Sequence, residues 1–174
     1  MPRSARSFAE AEAELDKAGV IGKTLTNEKF GLSGVVSGKS LRKMRSGKAL
    51  GKSVLAAAHV HAIANVDALF ARATLHREEA HIPEDKNIKC VHRFGVLMEF
   101  NGEYIPVKIT VKESANPGNN NKIYTIEVVN IATLKRTKSA GHSTSADASL
   151  ETSSYVPFTD FERSLADLPN AVKP

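Results

Sequence analysis

Hydrophobic and polar residues alternate most regularly over residues 91–111, on both sides of the dipeptide Asn101-Gly102. This dipeptide suits a two-residue type I′ turn, because both central residues of that turn need a positive φ. Such a turn fixes the register of the two strands, and the pattern therefore predicts a β-hairpin. The predicted cross-strand pairs are Phe100 with Glu103, Met98 with Ile105, Val96 with Val107, Gly95 with Lys108, Phe94 with Ile109, and Arg93 with Thr110. A third strand is predicted over 123–130.

Successive side chains of a strand point to opposite faces, so the alternation separates the two faces of this hairpin. Apolar side chains share one face and predict contact with helices: Phe94, Val96, Met98, Val107, Ile109 and Val111. Polar and cationic side chains share the other face: Arg93, Lys108, Thr110 and Lys112. Gly95 adds no side chain in front of Lys108. The sequence therefore predicts an uncrowded cationic patch on a rigid sheet.

The strongest helical pattern covers residues 53–73, where apolar residues recur at helical spacing. Leu55 and His59 fall on the apolar face of this helix and His61 falls on the opposite face. A single histidine on an apolar face is most often a hydrogen-bonded core residue. Asn65 is a candidate for capping a second half of the helix.

A shorter helix is predicted over 7–18, with Ser7 as its N-cap, Glu10 at the capping-box position and Gly19 at its end. Residues 20–34 have a mixed pattern of loop and strand, and residues 75–89 are interpreted as a polar, solvated connection. Together these elements predict an α+β fold. In this fold, N-terminal helices pack on one face of a small antiparallel β-sheet, followed by a disordered or partly helical C-terminal tail.

Charge is distributed unevenly over the 174 residues, whose net charge is +5. Residues 20–53 hold eight Lys or Arg against one acid, whereas residues 139–174 hold two against five. The second stretch is also rich in Ser and Thr, which is typical of a linker. The predicted organisation is an accessory helix over 1–24, a domain over 25–135, and an acidic linker with a short helix over 136–174.

The basic stretch 34–53 invites comparison with a phosphate-binding loop, but its Gly-Lys pairs lack the glycine five residues earlier that a Walker motif requires. Two interpretations remain open. The segment is either a solvated loop and helix with Leu41 and Met44 packed beneath it, or an arm that contacts a nucleic-acid backbone. In the second case its RNA-binding cations are Lys39, Arg42, Lys43 and Lys48, with Lys112 contributed by the sheet.

Cys90 is the only cysteine. A single cysteine excludes an internal disulfide and fits a reducing compartment. Cys90 itself is expected to be a packing residue at the start of a strand. His59 and His61 are two residues apart on a helix and do not face each other, so no metal site and no cofactor are predicted. No apolar run approaches the length of a membrane span. These observations predict a cytoplasmic monomer without membrane contact.

Four stretches in this order resemble one family: KSLRKM, HVHAIANVDALF, IKCVHRFGVLMEFNGEYIPVKITVKE and KIYTIEVVNI. Over residues 25–132 the chain is similar to the nuclease-like domain of large polyvalent proteins of phages and conjugative elements. That domain is classed with the barnase/EndoU/colicin/RelE-like nuclease superfamily. The resemblance implies helices packed on an antiparallel sheet.

The resemblance also implies a toxin that cuts transfer RNA or another structured RNA without metal. In this chemistry a 2′-OH attacks the adjacent phosphate and leaves a 2′,3′-cyclic product. The residues that match by type are His59 or His61, Arg93, Lys108, Thr110 and Tyr124. A cognate immunity protein is then an expected partner, and the cytoplasm of the producing or target bacterium the expected location. The alternative is a non-catalytic module of phage origin that binds nucleic acid or protein.

Overall fold

The computed structural model describes residues 2–80 and 86–129. The helices are α1 (Phe8–Lys17), α2 (Gly38–Met44), α3 (Gly47–Leu50), α4 (Ala56–Ala64) and α5 (Val66–Arg72). The strands are β1 (Thr24–Asn27), β2 (Leu32–Val35), β3 (Leu75–Ala80), β4 (Ile88–Phe100), β5 (Glu103–Ser114) and β6 (Lys122–Val128). The predictions for the acidic tail over 136–174 lie outside the described residues.

The strands form one six-stranded sheet in the order β1-β2-β6-β5-β4-β3. Neighbouring strands are antiparallel except for β2 and β6, which pair in parallel through Val35 and Lys122. The α+β class is confirmed. The sheet is larger than predicted, because residues 24–35 and 75–80 add three strands to the predicted three. It is mixed rather than antiparallel, because β2 and β6 pair in parallel.

The central hairpin of β4 and β5 has the predicted register, from Phe100 opposite Glu103 to Arg93 opposite Thr110. Asn101 and Gly102 have φ values of 53° and 79°, as a type I′ turn requires. Pro106 tolerates its place in β5 because the ladder to β6 begins at the next residue, Val107, which lies opposite Val128.

The hydrophobic core lies between the helices and the apolar face of the hairpin. Its sheet side chains include the predicted set, Phe94, Val96, Met98, Val107, Ile109 and Val111. From the helices, Leu15, Met44 and Phe70 are fully buried in the same core. α1 therefore shares one core with the rest of the described domain. Its cap is as predicted, since the Ser7 hydroxyl accepts a hydrogen bond from the Glu10 amide at 3.2 Å.

The long predicted helix is divided at Asn65 into α4 and α5. The Asn65 side chain makes no capping bond. It accepts a hydrogen bond from the Arg3 amide (2.8 Å) and donates to the Arg3 and His61 carbonyl oxygens (2.8 and 2.9 Å). Leu55, expected on the apolar face, precedes the first turn of α4 and is exposed. Asn65 thus ties the N-terminal segment to the point where the helix restarts.

The interpretation of residues 75–89 as a solvated connection was wrong for residues 75–80. They form the edge strand β3, in which His76 lies opposite Phe94 and Glu78 lies opposite His92. Polar alternation is compatible with an edge strand because only one side of the backbone is paired. β3 thereby adds His76 and Glu78 to the helix side of the sheet, and Arg77 and Glu79 to the other side.

Candidate functional site

The face of the sheet away from the helices brings together most of the residues predicted for catalysis. Arg93 Nη1 donates a hydrogen bond of 2.6 Å to Thr110 Oγ1. Tyr124 is the extra residue of a β-bulge, because Thr110 pairs with Thr125 and Val111 pairs with Ile123. The bulge leaves the Tyr124 ring beneath Lys112, whose Nζ lies 4.2 Å from the ring centroid.

Carboxylates from two other strands pair with two of the cations on this face. Glu79 of β3 lies 3.1 Å from Arg93 Nε, and Glu127 of β6 lies 2.6 Å from Lys108 Nζ. A second cation, Lys52 Nζ, lies 3.8 Å from the other oxygen of Glu127. Two cations of the predicted cationic patch, Arg93 and Lys108, are therefore paired with acids, whereas Lys112 lies over the Tyr124 ring. The hairpin pattern alone does not reveal the acids that its neighbouring strands supply.

The space in front of Gly95 is also filled. Leu75 of β3 lies opposite Gly95, and a Cβ atom on Gly95 would lie 3.0 Å from Leu75 Cδ1. The glycine therefore makes room for a leucine of the edge strand. The face is more crowded than the sequence predicts.

His59 lies in the core and both of its ring nitrogens have partners. Nδ1 lies 2.8 Å from Ser53 Oγ and Nε2 lies 2.7 Å from the Met44 carbonyl oxygen. Ser53 Oγ in turn accepts a hydrogen bond from the Val128 amide at 3.1 Å. Burial lowers the pKa of His59, while the Met44 carbonyl and the Glu127 charge oppose that shift. The neutral ring therefore joins α2, the segment before α4, and β6.

His61 lies on the other side of α4, with its ring centroid 5.4 Å from that of Phe100. Partial burial lowers its pKa as well. Neither histidine hydrogen-bonds to Arg93 or Thr110, because α4 packs on the helix side of the sheet. The structure thus joins four predicted residues on the far face of the sheet, namely Arg93, Lys108, Thr110 and Tyr124, without either histidine.

The basic segment folds as α2 and α3, each with a serine at its N-terminus. Ser37 accepts a hydrogen bond from the Ser40 amide (3.2 Å) and Ser46 from the Ala49 amide (3.3 Å). Apolar side chains fix the two helices to the core: Leu41, Met44 and Ala49. The predicted packing of Leu41 and Met44 is confirmed. The segment is a helical surface of defined shape.

The four cations predicted here to bind RNA are all exposed: Lys39, Arg42, Lys43 and Lys48. Within residues 2–80 and 86–129, none of the four forms a salt bridge. Arg45, between the two helices, pairs with Glu12 at 2.8 Å. We call the four side chains that are unpaired within the described residues, those of Lys39, Arg42, Lys43 and Lys48, the α2–α3 cation group.

A polar cluster on the helix side of the sheet was missed by the sequence analysis. Cys90 Sγ donates to Glu113 Oε2 at 2.8 Å and lies 3.1 Å from His92 Nε2. His92 Nε2 also lies 2.9 Å from Glu113 Oε2, and its Nδ1 lies 2.9 Å from His76 Nε2. Lys89 pairs with the second oxygen of Glu113 at 2.8 Å. Cys90 is therefore more than a packing residue.

The environment of this cluster shifts the pKa values of Cys90 and Glu113. Burial and the hydrogen bond to Glu113 raise the pKa of Cys90 to about 12. Burial alone would raise the pKa of Glu113, but hydrogen bonds from Cys90, Lys89 and His92 outweigh it and lower that pKa to about 2. In the absence of another ligand, the cluster thus consists of a protonated thiol beside an ionised carboxylate.

The signal for this cluster was present in the hairpin register. Extending the predicted pairing beyond Arg93 places Cys90 opposite Glu113, as observed. Cys90 and His92 are two residues apart on a strand and hence share a face. Only His76 and Glu78, which come from the unpredicted strand β3, required the tertiary structure.

The fold and these sites define an α+β domain with a mixed sheet, one covered face, and an exposed basic helical surface. The family model of large polyvalent protein-associated domain 3 matches residues 5–124. The chain belongs to this family, which supports the predicted link to large polyvalent proteins of phages. Neither a curated protein nor a solved structure gives a significant match. Among the described residues, no helix is long and apolar enough to cross a membrane.

Proposed function

We propose that this domain binds structured RNA, with transfer RNA as the first candidate, through the α2–α3 cation group. The observation that carries this proposal is the absence of salt bridges to these four exposed cations within the described part of the chain. A cation without a protein partner is free to replace the counterions of a phosphate backbone. Each such contact adds a salt-dependent increment to the affinity.

The arrangement of α2 and α3 also supports this function. Lys39, Arg42 and Lys43 project from one turn-and-a-half of α2, and Lys48 projects from α3 directly after it. The buried side chains beneath hold both helices in place, so binding requires little further ordering of the backbone. Cations on a fixed surface favour a shaped polyanion such as folded RNA over a small anion.

The experiment is a binding titration of a Lys39→Gln, Lys43→Gln, Lys48→Gln variant with labelled transfer RNA at several salt concentrations. We expect the affinity to fall by at least about tenfold near 0.1 M salt. The magnitude of the negative slope of log K against log salt should fall by roughly 2–3, since each of the three lost contacts removes about 0.7 for single-stranded and 0.9 for duplex regions.

The matched control is Lys17→Gln, Lys23→Gln, Lys122→Gln, which removes the same charge from exposed lysines elsewhere. Both variants lower the net charge of +5 by three. If the control weakens binding as much as the α2–α3 variant, the RNA responds to overall charge and the proposed surface is wrong.

Metal-independent RNA cleavage is the second candidate, favoured by the contact between Arg93 and Thr110 with Lys108 on the same face. Arg93 and Lys108 would stabilise charge on the phosphorane, and Tyr124 would stack on a base or donate a proton. Because His59 is buried in the core, Glu79, which lies beside Arg93, is the group proposed to accept the 2′-OH proton. A cognate immunity protein and a toxin role depend on this candidate alone.

Incubation of the purified protein with total RNA and EDTA, followed by end-group analysis, distinguishes the two candidates. A 2′,3′-cyclic phosphate product that Arg93→Ala abolishes supports cleavage. If the protein binds RNA tightly and the RNA stays intact, the result supports binding and not cleavage.

A further inference from the structure

We propose that Glu78, Cys90 and His92, completed by Glu113, form a binding site for a zinc-type divalent metal ion. One ligand atom from each of Glu78, Cys90 and His92 lies within 4.8 Å of the others. Glu113 Oε2 lies 2.8 Å from Cys90 Sγ and 2.9 Å from His92 Nε2. The Glu78 carboxylate, the Cys90 thiol and the His92 imidazole are therefore grouped at one end of the sheet, and the Glu113 carboxylate lies beside the thiol and the imidazole.

The spacing of these atoms suits a tetrahedral ion. Typical zinc bond lengths place neighbouring ligand atoms roughly 3.3–3.7 Å apart. The contacts of 2.8–3.1 Å among Cys90, His92 and Glu113 are slightly shorter than this. A small outward movement of the side chains would therefore admit an ion.

The backbone holds the ligands in place before the ion arrives. Cys90 and His92 come from β4, Glu78 pairs with His92 from β3, and Glu113 pairs with Cys90 from β5. Cys90 and His92 are only 4% and 3% exposed. Glu78 is exposed, and so the site has a carboxylate at its solvent side through which an ion can reach the buried ligands.

The surroundings provide the second layer of contacts that metal sites use. His76 Nε2 lies 2.9 Å from His92 Nδ1, which leaves His92 Nε2 directed toward Cys90 and Glu113. His76 is held by stacking on His92 and by contact with Phe94, with ring centroids 5.1 and 4.8 Å away. A partner on the second ring nitrogen fixes the tautomer and orientation of a ligating histidine.

The donor set selects the class of ion. A thiolate and an imidazole favour zinc, cobalt or similar transition metals over magnesium or calcium, which prefer oxygen ligands. A thiolate with two carboxylates contributes three negative charges to a divalent ion, and Lys89 beside Glu113 offsets the remaining one. Metal binding would release the Cys90 proton to solvent and replace the thiol–carboxylate hydrogen bond with two metal–ligand bonds.

The test is titration of the purified full chain with Co²⁺, monitored by the thiolate-to-cobalt charge-transfer absorption, followed by displacement with Zn²⁺. We expect one ion per chain, an absorption band that Cys90→Ser removes, and a higher Tm with Zn²⁺ because the ion binds only the folded state. Circular dichroism without metal checks that the variants fold.

Glu78→Gln is the decisive variant, because Glu78 is exposed and its replacement leaves the buried cluster in place. It should weaken Co²⁺ binding by about tenfold or more. Its matched control is Glu79→Gln, the neighbouring residue on the opposite face, which should change the affinity by less than about twofold. The proposal is overturned if the folded chain binds neither ion at micromolar concentration, or if binding proceeds without the thiolate band. Equal effects of Glu78→Gln and Glu79→Gln would overturn it too.

Discussion

The two cation-rich surfaces of this domain, the α2–α3 cation group and the far face of the sheet, differ in the acids that surround them. On the sheet, Arg93 and Lys108 lie between strands that supply Glu79 and Glu127. On α2 and α3, the four cations project from short helices into solvent and form no salt bridge within the described residues. Strand neighbours bring unrelated sequence segments within 5 Å, whereas the exposed side of a helix has no such neighbours. On the sheet the two central cations, Arg93 and Lys108, are matched by acids, whereas all four cations of α2 and α3 remain available to a partner.

The largest effect on stability is expected at Glu127, the more buried of the two carboxylates that pair with cations on the far face of the sheet. Glu127 is 4% exposed and faces Lys108 and Lys52. Glu127→Gln should lower the free energy of unfolding by about 3 kcal/mol, because it leaves Lys108 without its partner. Urea denaturation measures this, and the same variant should show added RNA affinity at low salt from the released cations.

Glu99→Gln is the matched control, since Glu99 is exposed on β4 and forms no salt bridge in the described chain. It should change stability by less than about 0.5 kcal/mol. A double variant with Lys108→Met should recover part of the loss caused by Glu127→Gln. If Glu127→Gln is as mild as the control, the far face is not held together by charge compensation.

The next effect concerns His59, which packs beneath the α2–α3 surface. Its pKa is lowered by burial from the ordinary 6.5, so the unfolded chain takes up a proton at a higher pH than the folded chain. The stability due to the neutral ring is present above pH 6.5 and is lost as the pH falls toward the folded-state pKa. Protonation of Nδ1 would leave the Ser53 hydroxyl proton without its acceptor.

His59→Gln should therefore cost about 1–3 kcal/mol at neutral pH and reduce the loss of stability below pH 6.5. Thermal unfolding from pH 5 to 8 measures both. His61→Gln serves as the comparison and should have a smaller effect, because His61 is less buried than His59. An unchanged pH dependence in His59→Gln would contradict the assignment of a neutral ring.

Arg93→Ala is expected to have a modest effect that separates binding from cleavage. The Arg93–Glu79 pair is about one-third exposed, with side-chain exposures of 33% and 30%, so its loss should cost at most about 1 kcal/mol. Loss of the hydrogen bond to the buried Thr110 hydroxyl should add about 1 kcal/mol. RNA affinity should change by less than about twofold if the α2–α3 surface is the binding site. Any cleavage should disappear. Arg93→Lys, which keeps the charge but loses the planar fork, should retain binding and restore little activity.

The smallest effect is expected from truncation after Lys138. Residues 139–174 hold two basic and five acidic residues, and they belong to the predicted acidic linker. Their removal should leave Tm nearly unchanged. RNA binding should be equal or slightly stronger at low salt, since attraction between the acids and the cation group is screened over about 10 Å at 0.1 M salt. A large loss of Tm would instead assign this segment to the folded domain.

Local chemistry in the sequence determined several features of this protein. The Asn101-Gly102 turn set the register of the central hairpin, which the structure reproduces pair by pair. Ser7 set the start of α1, and helical spacing placed His59 inward. These features depend on residues close in sequence, so short-range conformational preferences and periodicity were sufficient to predict them.

Only the tertiary structure decided which charges are available. Glu79 and Glu127 reach Arg93 and Lys108 from strands whose order along the sheet no local pattern reveals. The convergence of Glu78 and His76 on Cys90 and His92 depends likewise on β3, which the sequence presents as a polar connection. Electrostatic interactions between side chains depend on distance in space, and a sheet brings together residues far apart in the chain. The sequence therefore determined where the cations are, and the sheet determined which of them remain free to bind.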